Sequence, residues 1–300
     1  MTMPDAGRVC LLPGGYRDAR GVLHREAEVA PLTGREEELL AGSRGVPAPE
    51  LVTAVLCRAV RRIGGVAPVT PEVARALLVA DRLFLLLRVR AATFGERVEG
   101  TLGCPWPRCG ARVDVDFSLA DVPVKRSAEL FPTYVAELSA EAAGEDGAGA
   151  APRSVEFRLP RGDDQEALAG VLAENPARAL TALLERCVVG AGEGAALVDR
   201  LSPRARGEVE AAMAAAAPHV ELEMDLVCPE CGRAFTAPFD PADFLFGELR
   251  TSRGLLYRQV HYLAWHYHWS EGEILDLPRD KRLAYIEILA DEIEALNHAV

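Results

Sequence analysis

What the chain lacks narrows its function before anything it contains. It has no long uninterrupted apolar run. The most apolar stretch, LFLLLRVRAA at 83–92, is broken by Arg88 and Arg90 and is too short to span a bilayer. The opening MTMPDAGRVCLLPGG has no basic stretch followed by an apolar core, so no signal peptide is expected. The chain reads as soluble and cytoplasmic. It is also short of positive charge, with 33 Lys and Arg against 45 Asp and Glu, a net charge of −12. That balance opposes a nucleic-acid partner, because phosphate binding needs a cationic face; a local basic patch stays compatible with it.

Catalytic patterns are missing too. There is no GxSxG, no Walker loop, no HExxH and no GxGxxG, and no enzyme is expected. LPGG at 12–15 is most simply a hairpin turn. RGDD at 161–164 carries two carboxylates that could hold a metal, but a helix N-cap explains it better.

The chemistry that is present lies in the cysteines. There are seven, an odd number, which speaks against a secreted disulfide framework and for a reducing compartment. Cys10, Cys57 and Cys187 are scattered, and Cys187 sits in a helical apolar context that makes it buried and inert. The other four form two tight pairs, Cys104 with Cys109 in GCPWPRCG and Cys228 with Cys231 in VCPECGR.

The two pairs belong to an internal repeat. VEGTLGCPWPRCGARVDVDFSLADV corresponds to LEMDLVCPECGRAFTAPFDPADF. In each, a strand enters, Cys-Pro opens a turn, Cys-Gly closes it and a strand leaves, ending in an acidic–aromatic pair and an Ala-Asp step. The glycine after each second cysteine permits unusual backbone angles. Two such knuckles complete a tetrahedral site of four cysteines, closed and structural rather than catalytic. Thiolates favour zinc over magnesium or calcium, with iron the main competitor. Unrelated pairs without metal, or half-sites completed across a dimer, are the less economical readings. The wide separation is tolerable because loop-closure cost grows only logarithmically. Zinc would clamp the base of the inserted segment 110–227 against the N-terminal region.

Around these knuckles the chain reads as α+β: helical N- and C-terminal regions around a split zinc-ribbon-like β unit with a long α/β insertion. Residues 1–93 hold a hairpin at 8–30 and three helices. The first opens at the capping box Thr33-Gly-Arg-Glu36. The second covers 49–63 and stops at Gly64-Gly65. The third runs from Thr70-Pro71 to about Ala92, with a core stripe of Val73, Leu77, Leu78, Phe84 and Leu87. Residues 94–120 are the first knuckle and its strands. Residues 121–153 are variable, and the Gly/Ala-rich part at 140–153 is a linker or long loop. Residues 154–218 carry a strand (154–159), a helix capped by Asp163 or Asp164, a helix after Asn175-Pro176 and an Ala-rich helix at 203–216. Residues 219–245 are the second knuckle, and 246–300 are helical.

In that last segment Leu249, Leu256, Val260, Leu263 and Tyr267 share one helical face. Ser270 and Glu273 make a second capping box, with Trp269 and Ile274 as its hydrophobic staple. A final amphipathic helix carries Leu283, Ile286, Leu289 and Ile293. His261, His266 and His268 have spacings of five and two, which do not stack them on one face as metal ligands. Concentrated aromatics near a chain end can anchor a partner, and Tyr262, Leu263, Trp265 and Trp269 are the candidate contacts.

Taken in order, LLPGGY…GVLHREAEVAPLTGREEELLA, the paired knuckles, FRLPRGDDQEALA…LLERCVV and LLYRQVHYLAWHYHWSEGEILDLPRDKRLAYIEIL carry a family resemblance. The chain resembles baseplate or tail-assembly proteins of contractile phage-tail-like injection systems, including the group likened to the T-even phage baseplate hub assembly chaperones. Its terminal segment also looks like a family of very short proteins from the same gene clusters. The resemblance implies an assembly or structural role, with hub, spike or tape-measure-like baseplate proteins as partners. It offers no catalytic residues; only Cys104, Cys109, Cys228 and Cys231 transfer as functional positions. The alternatives are a permanent structural baseplate subunit and a nucleic-acid-binding zinc-ribbon regulator. Arg108, Arg112 and Arg233 are the sole support for the latter.

Overall fold

A computed structural model describes residues 8–43, 45–143, 152–189, 194–251 and 253–298. The chain is mixed helix and strand, α+β, as its sequence implies. Three strands open it: β1 (Arg8–Arg17), β2 (Leu23–Val29) and β3 (Val60–Ile63), in the sheet order β1-β2-β3 with antiparallel pairing. Between β2 and β3 lie α1 (Gly34–Gly42) and α2 (Ala48–Ala59). The Thr33–Glu36 capping box forms as its spacing requires, Thr33 N donating to Glu36 Oε2 at 2.8 Å.

Two expectations for this region fail for tertiary reasons. LPGG is not the hairpin turn. It lies inside β1 as an irregularity between Leu11 and Tyr16, and the turn falls at 18–22, where the Asp18 carboxylate accepts from the N–H groups of Arg20 and Val22. The second helix does not reach residue 63. It ends at Ala59, and Val60–Ile63 turns extended to edge β2, its charged pair facing Glu26 and Glu28 through Arg62.

The third expected helix is two helices, α3 (Pro71–Ala76) and α4 (Val79–Phe94). The inserted segment makes the break. Leu77 O accepts from Gly162 N at 3.0 Å and Val79 N donates to Pro160 O at 3.3 Å, so backbone groups that would continue the helix are taken by a distant strand-like bridge. The predicted stripe is nonetheless buried throughout. Val73, Leu77, Phe84 and Leu87 enter the main core with the first sheet, α2 and α4, whereas Leu78 joins the core of the insertion.

The hairpin β4 (Arg97–Gly103) and β5 (Arg112–Ser118) follows, then a 3-10 turn at Leu119–Asp121. The insertion begins at β6 (Val124–Lys125) and returns at β9 (His219–Val220); these two strands pair antiparallel and close its neck. Within it lie β7 (Tyr134–Glu137), α5 (Ala140–Ala143), β8 (Ser154–Phe157), α6 (Gly162–Glu174), α7 (Pro176–Cys187), α8 (Gly194–Arg200) and α9 (Pro203–Ala216). Of the linker expected at 140–153, the first four residues are helical and 144–151 lie outside the described residues. The cap of α6 is Arg161 rather than either aspartate; Asp164, at the third helical position, accepts from Arg161 N at 2.9 Å. Phe157, Leu184, Cys187, Val198 and Val209 form a core separate from the main one.

A second hairpin, β10 (Glu223–Val227) and β11 (Ala234–Pro238), leads into α10 (Pro241–Thr251), α11 (Arg253–Tyr267), α12 (Glu271–Leu275) and α13 (Arg279–His298). The Ser270–Glu273 box forms, and Trp269 packs against the small core holding Ile274, Leu256 and Leu263. In α13 the amphipathic expectation is only partly met: Leu289 is buried, but Leu283 is exposed, because Arg282 takes the inward position.

Candidate metal centre

The two hairpins bring all four paired cysteines to one point. The Sγ atoms of Cys104, Cys109, Cys228 and Cys231 lie within 4.8 Å of one another. Cys104 and Cys231 are 3.9 Å apart, and Cys109 and Cys228 are 3.7 Å apart. A tetrahedron of metal–thiolate bonds of ~2.3 Å has edges of about 3.8 Å. These separations therefore suit a single ion shared by both knuckles, and they are far too long for disulfides of ~2.05 Å. Both of these separations join a cysteine of one knuckle to a cysteine of the other.

Local backbone explains why the sequence folds this way. Gly110 and Gly232, each directly after the second cysteine of its pair, have φ of 62° and 68°, in the left-handed region that glycine enters without strain. Cys104 N donates to Ala111 O at 2.8 Å and Cys228 N to Arg233 O at 3.0 Å, closing equivalent loops of different length. The longer first knuckle needs a further left-handed residue, and Arg108 supplies it at φ 70°.

Cys104 and Cys228 are buried, Cys109 is half-buried and Cys231 is exposed. Backbone N–H groups of Cys231 and, less strongly, Glu230 pull the Cys228 thiol down to about 7. Burial pushes Cys104 up to about 12. The donor set is soft, closed and tetrahedral, which fits a structural zinc or iron ion.

The hairpins touch beyond the sulfurs. Trp106 Nε1 of the first knuckle donates to Ala234 O of the second at 3.1 Å, and the Arg233 guanidinium lies 5.3 Å from the Trp106 ring centroid. At the opposite ends, Phe117 and Phe239, which the repeat aligns, meet edge to face at 5.3 Å. Equivalent cross-strand bonds brace each hairpin: Thr101 Oγ1 to Asp114 at 2.9 Å and Thr236 Oγ1 to Asp225 at 2.8 Å.

The residues proposed as partner contacts separate. Trp265 is 71% exposed on α11. Tyr262 is half-buried against His266, and Trp269 is half-buried among Tyr267 and Tyr285. Leu263 faces inward, fully buried in the core of the terminal helices, so it supports that surface from behind. His261, His266 and His268 are all exposed, and His261 lies beside Trp265.

Four buried charged groups hold distant elements together, and of these only Asp164 is singled out in the sequence. Asp81 accepts from Gly14 N at 2.8 Å and Gly15 N at 3.0 Å, which is why LPGG forms a bulge; burial raises its carboxyl to about 7. Arg82 is buried against Thr53, Ala74 O, Pro49 O and Gln165, and burial lowers it to about 10. Asp164 takes Arg158 in a two-point contact at 2.7 and 2.8 Å and Arg186 at 2.7 Å, so this carboxylate of RGDD is committed to ion pairs within the insertion. Glu37, on α1, accepts from Arg282 at 2.6 Å and Arg279 at 2.9 Å. For Asp81, Arg82 and Glu37 the partners lie mostly far along the chain and no local signal marks them, whereas Asp164 is marked by RGDD but for a different role.

Two cysteine hairpins that face one another, flanked by helices and an inserted α/β segment, define the class of fold. Residues 23–246 match the family described as T4 bacteriophage base plate protein, well over half of the chain, and the chain belongs to that family. The match takes in β2 through most of α10 and includes all four cysteines, while the terminal stretch HYHWSEGEIL lies outside it. The family is structural or concerned with assembly rather than catalytic. No curated protein and no solved structure matches the chain. Among the described residues, no helix is long and apolar enough to cross a membrane.

Proposed function

We propose that this chain is a non-enzymatic assembly factor for the baseplate of a phage-tail-like contractile injection system, acting in the cytoplasm. The observation that carries this reading is the family match over 23–246, which spans both knuckles. In it, Cys104, Cys109, Cys228 and Cys231 hold a structural zinc ion, which supplies a redox-inert cross-link between the two ends of the insertion. The partner is a hub, spike or tape-measure-like baseplate protein. It is gripped by the terminal helices through Trp265, with Tyr262 and Trp269 at the margin; a large exposed aromatic beside half-buried ones has the composition of a binding hot spot.

A permanent baseplate subunit is the second reading, favoured by the same family match. Mass spectrometry of purified particles separates the two. An assembly factor is absent from finished particles although present during their formation, whereas a subunit is present at fixed stoichiometry. Co-purification with baseplate proteins from the same gene cluster tests the surface. Trp265→Ala should cut recovery of the partner about tenfold or more, as expected for a hot-spot aromatic. Undiminished recovery would remove the terminal helices from the reading.

A further inference from the structure

The two edges of the first sheet differ. β3 closes one side and carries Arg61 and Arg62, while β1 closes the other. Charge protects a strand edge, because unpaired N–H and C=O groups invite a further strand. β1 lacks that protection: Val9 is 55% and Leu11 58% exposed, two positions apart on the outer face, opposite Glu28 and Glu26. The chain borders this edge at one end, where Ser127 N donates to Pro13 O. Residues 8–12 are about 17 Å of strand. Among the described residues, their backbone groups have no hydrogen-bond partner outside β2.

The inner side of the same edge is cationic. Phe84, Arg88 and Ala91 follow one another along one face of α4, which packs against β1. Ala91 O accepts from Arg8 of β1 at 3.1 Å. Arg88 and Arg126 both lie over the Phe84 ring, 5.7 and 5.8 Å from its centroid. Burial raises the Cys10 thiol of β1 to about 11, and both guanidinium groups oppose it, so they stand close to the strand. Little answers these charges. Among the described residues, the only ion pair that Arg8, Arg88 or Arg126 makes is Arg88 with Glu96, at 3.4 Å. Arg88 Nε is buried without an acceptor, and a buried donor left unpaired is costly.

We propose that the open stretch of β1 accepts an added strand from another protein, one in which acidic side chains alternate with apolar ones. The incoming backbone pairs with residues 8–12 and extends the sheet. Successive side chains of a strand point to opposite faces. Apolar ones therefore lie beside Val9 and Leu11, and carboxylates turn inward to Arg8, Arg88 and Arg126. A carboxylate supplies the acceptor that Arg88 Nε lacks, through a charge-assisted hydrogen bond. A second copy of β1 is the weaker occupant, because it brings its own three guanidinium groups against these. None of these residues belongs to the terminal helices, so failure here leaves the reading of Trp265 untouched.

The test is a fluorescein-labelled peptide of alternating Glu and Val, about nine residues long to cover the open stretch. It is titrated with the full chain and followed by anisotropy. A peptide of the same composition with the alternation lost, and a Lys–Val counterpart, are titrated in parallel. The alternating acidic peptide is expected to bind at least tenfold tighter than either and to slow hydrogen exchange of the β1 amides at 9–12. Leu11→Lys and Arg126→Glu should each weaken it at least tenfold, and Arg178→Glu, on α7, should leave it unchanged. All three altered side chains are exposed, and an unchanged melting temperature shows that the fold is kept. Equal binding of the reordered peptide, binding without protection in β1, or equal loss in the Arg126 and Arg178 variants would each overturn the proposal. A dimer of the free chain that Leu11→Lys dissolves would also overturn it, in favour of a second copy.

Discussion

At the scale of single residues, identical chemistry has unequal consequences depending on surroundings. Among the cysteines, four share a point and three do not. Cys228→Ser should therefore drop bound zinc well below one ion per chain, as read by elemental analysis, and lower the melting temperature. Cys57→Ser should leave both nearly unchanged, since Cys57 lies far from the cluster in sequence and outside it in space. Asp81 gives a pH test. Burial raises its folded pKa from 3.8 to about 7, so the folded state holds a proton that the unfolded chain releases above pH ~4. The stability tied to that proton is fully present below pH ~4 and is lost as pH rises through about 7. At 1.36 kcal/mol per pH unit the loss is on the order of 4 kcal/mol at most. Urea unfolding at pH 5 and pH 8 should show it, and Asp81→Asn should flatten the difference. That the four paired cysteines meet was legible in the sequence because spacing, flanking Pro and Gly, and a second copy all reported it. Asp81 was not, because one aspartate in an apolar helix looks the same whether it meets water or two glycine amides.

At the scale of elements, the terminal helices are fastened to the body by a polar joint. Arg282 is fully buried, its guanidinium bonded to Glu37 of α1 and to Gln259 of α11 at 2.8 Å. Arg279 shares the same carboxylate, and Arg35 of α1 pairs with Asp276. Such a joint contributes modest net stability but fixes register, and breaking one side of it strands a buried charge. Glu37→Ala should cost about 3–5 kcal/mol locally. Hydrogen exchange should speed up first over 253–298, before the main sheet. Uniform exchange in that variant would show that the helices are not a separable layer. The joint also marks where sequence patterns stop informing. The Thr33 and Ser270 capping boxes lie within four residues and were readable. The break between α3 and α4 and the strand nature of Val60–Ile63 were not, because Pro160, Gly162 and β2 dictate them from far along the chain. Leu283 faces outward for the same reason: its neighbour Arg282 turns in to reach Glu37.

At the scale of the whole molecule, the question is whether the clasp is local or global. The sulfurs sit at the hairpin tips, but the hairpin bases belong to the main core: Val98, Leu119 and Phe239 are buried there with Leu85, Leu86 and Leu245. The insertion springs from the same bases. Its neck is closed by the pairing of Val124 with Val220, by Ser127 N to Pro13 O and by Glu221 N to Pro123 O. Freeing the tips therefore removes a constraint that fixes both ends of the insertion against the body. The lost closure is entropic and grows only slowly with the length of the loop released, whereas thiolate–zinc binding can contribute on the order of 10 kcal/mol to the folded state. Chelation should then lower the main unfolding transition by many degrees and expose residues 119–222 to protease. If the tips merely hung from a self-sufficient body, calorimetry after chelation would instead show a small early transition and an unmoved main peak. The burial of Phe239 against Phe117 and Phe244 argues for the single, lowered transition, because the strands cannot splay at the metal without unpacking aromatic side chains that the body also uses.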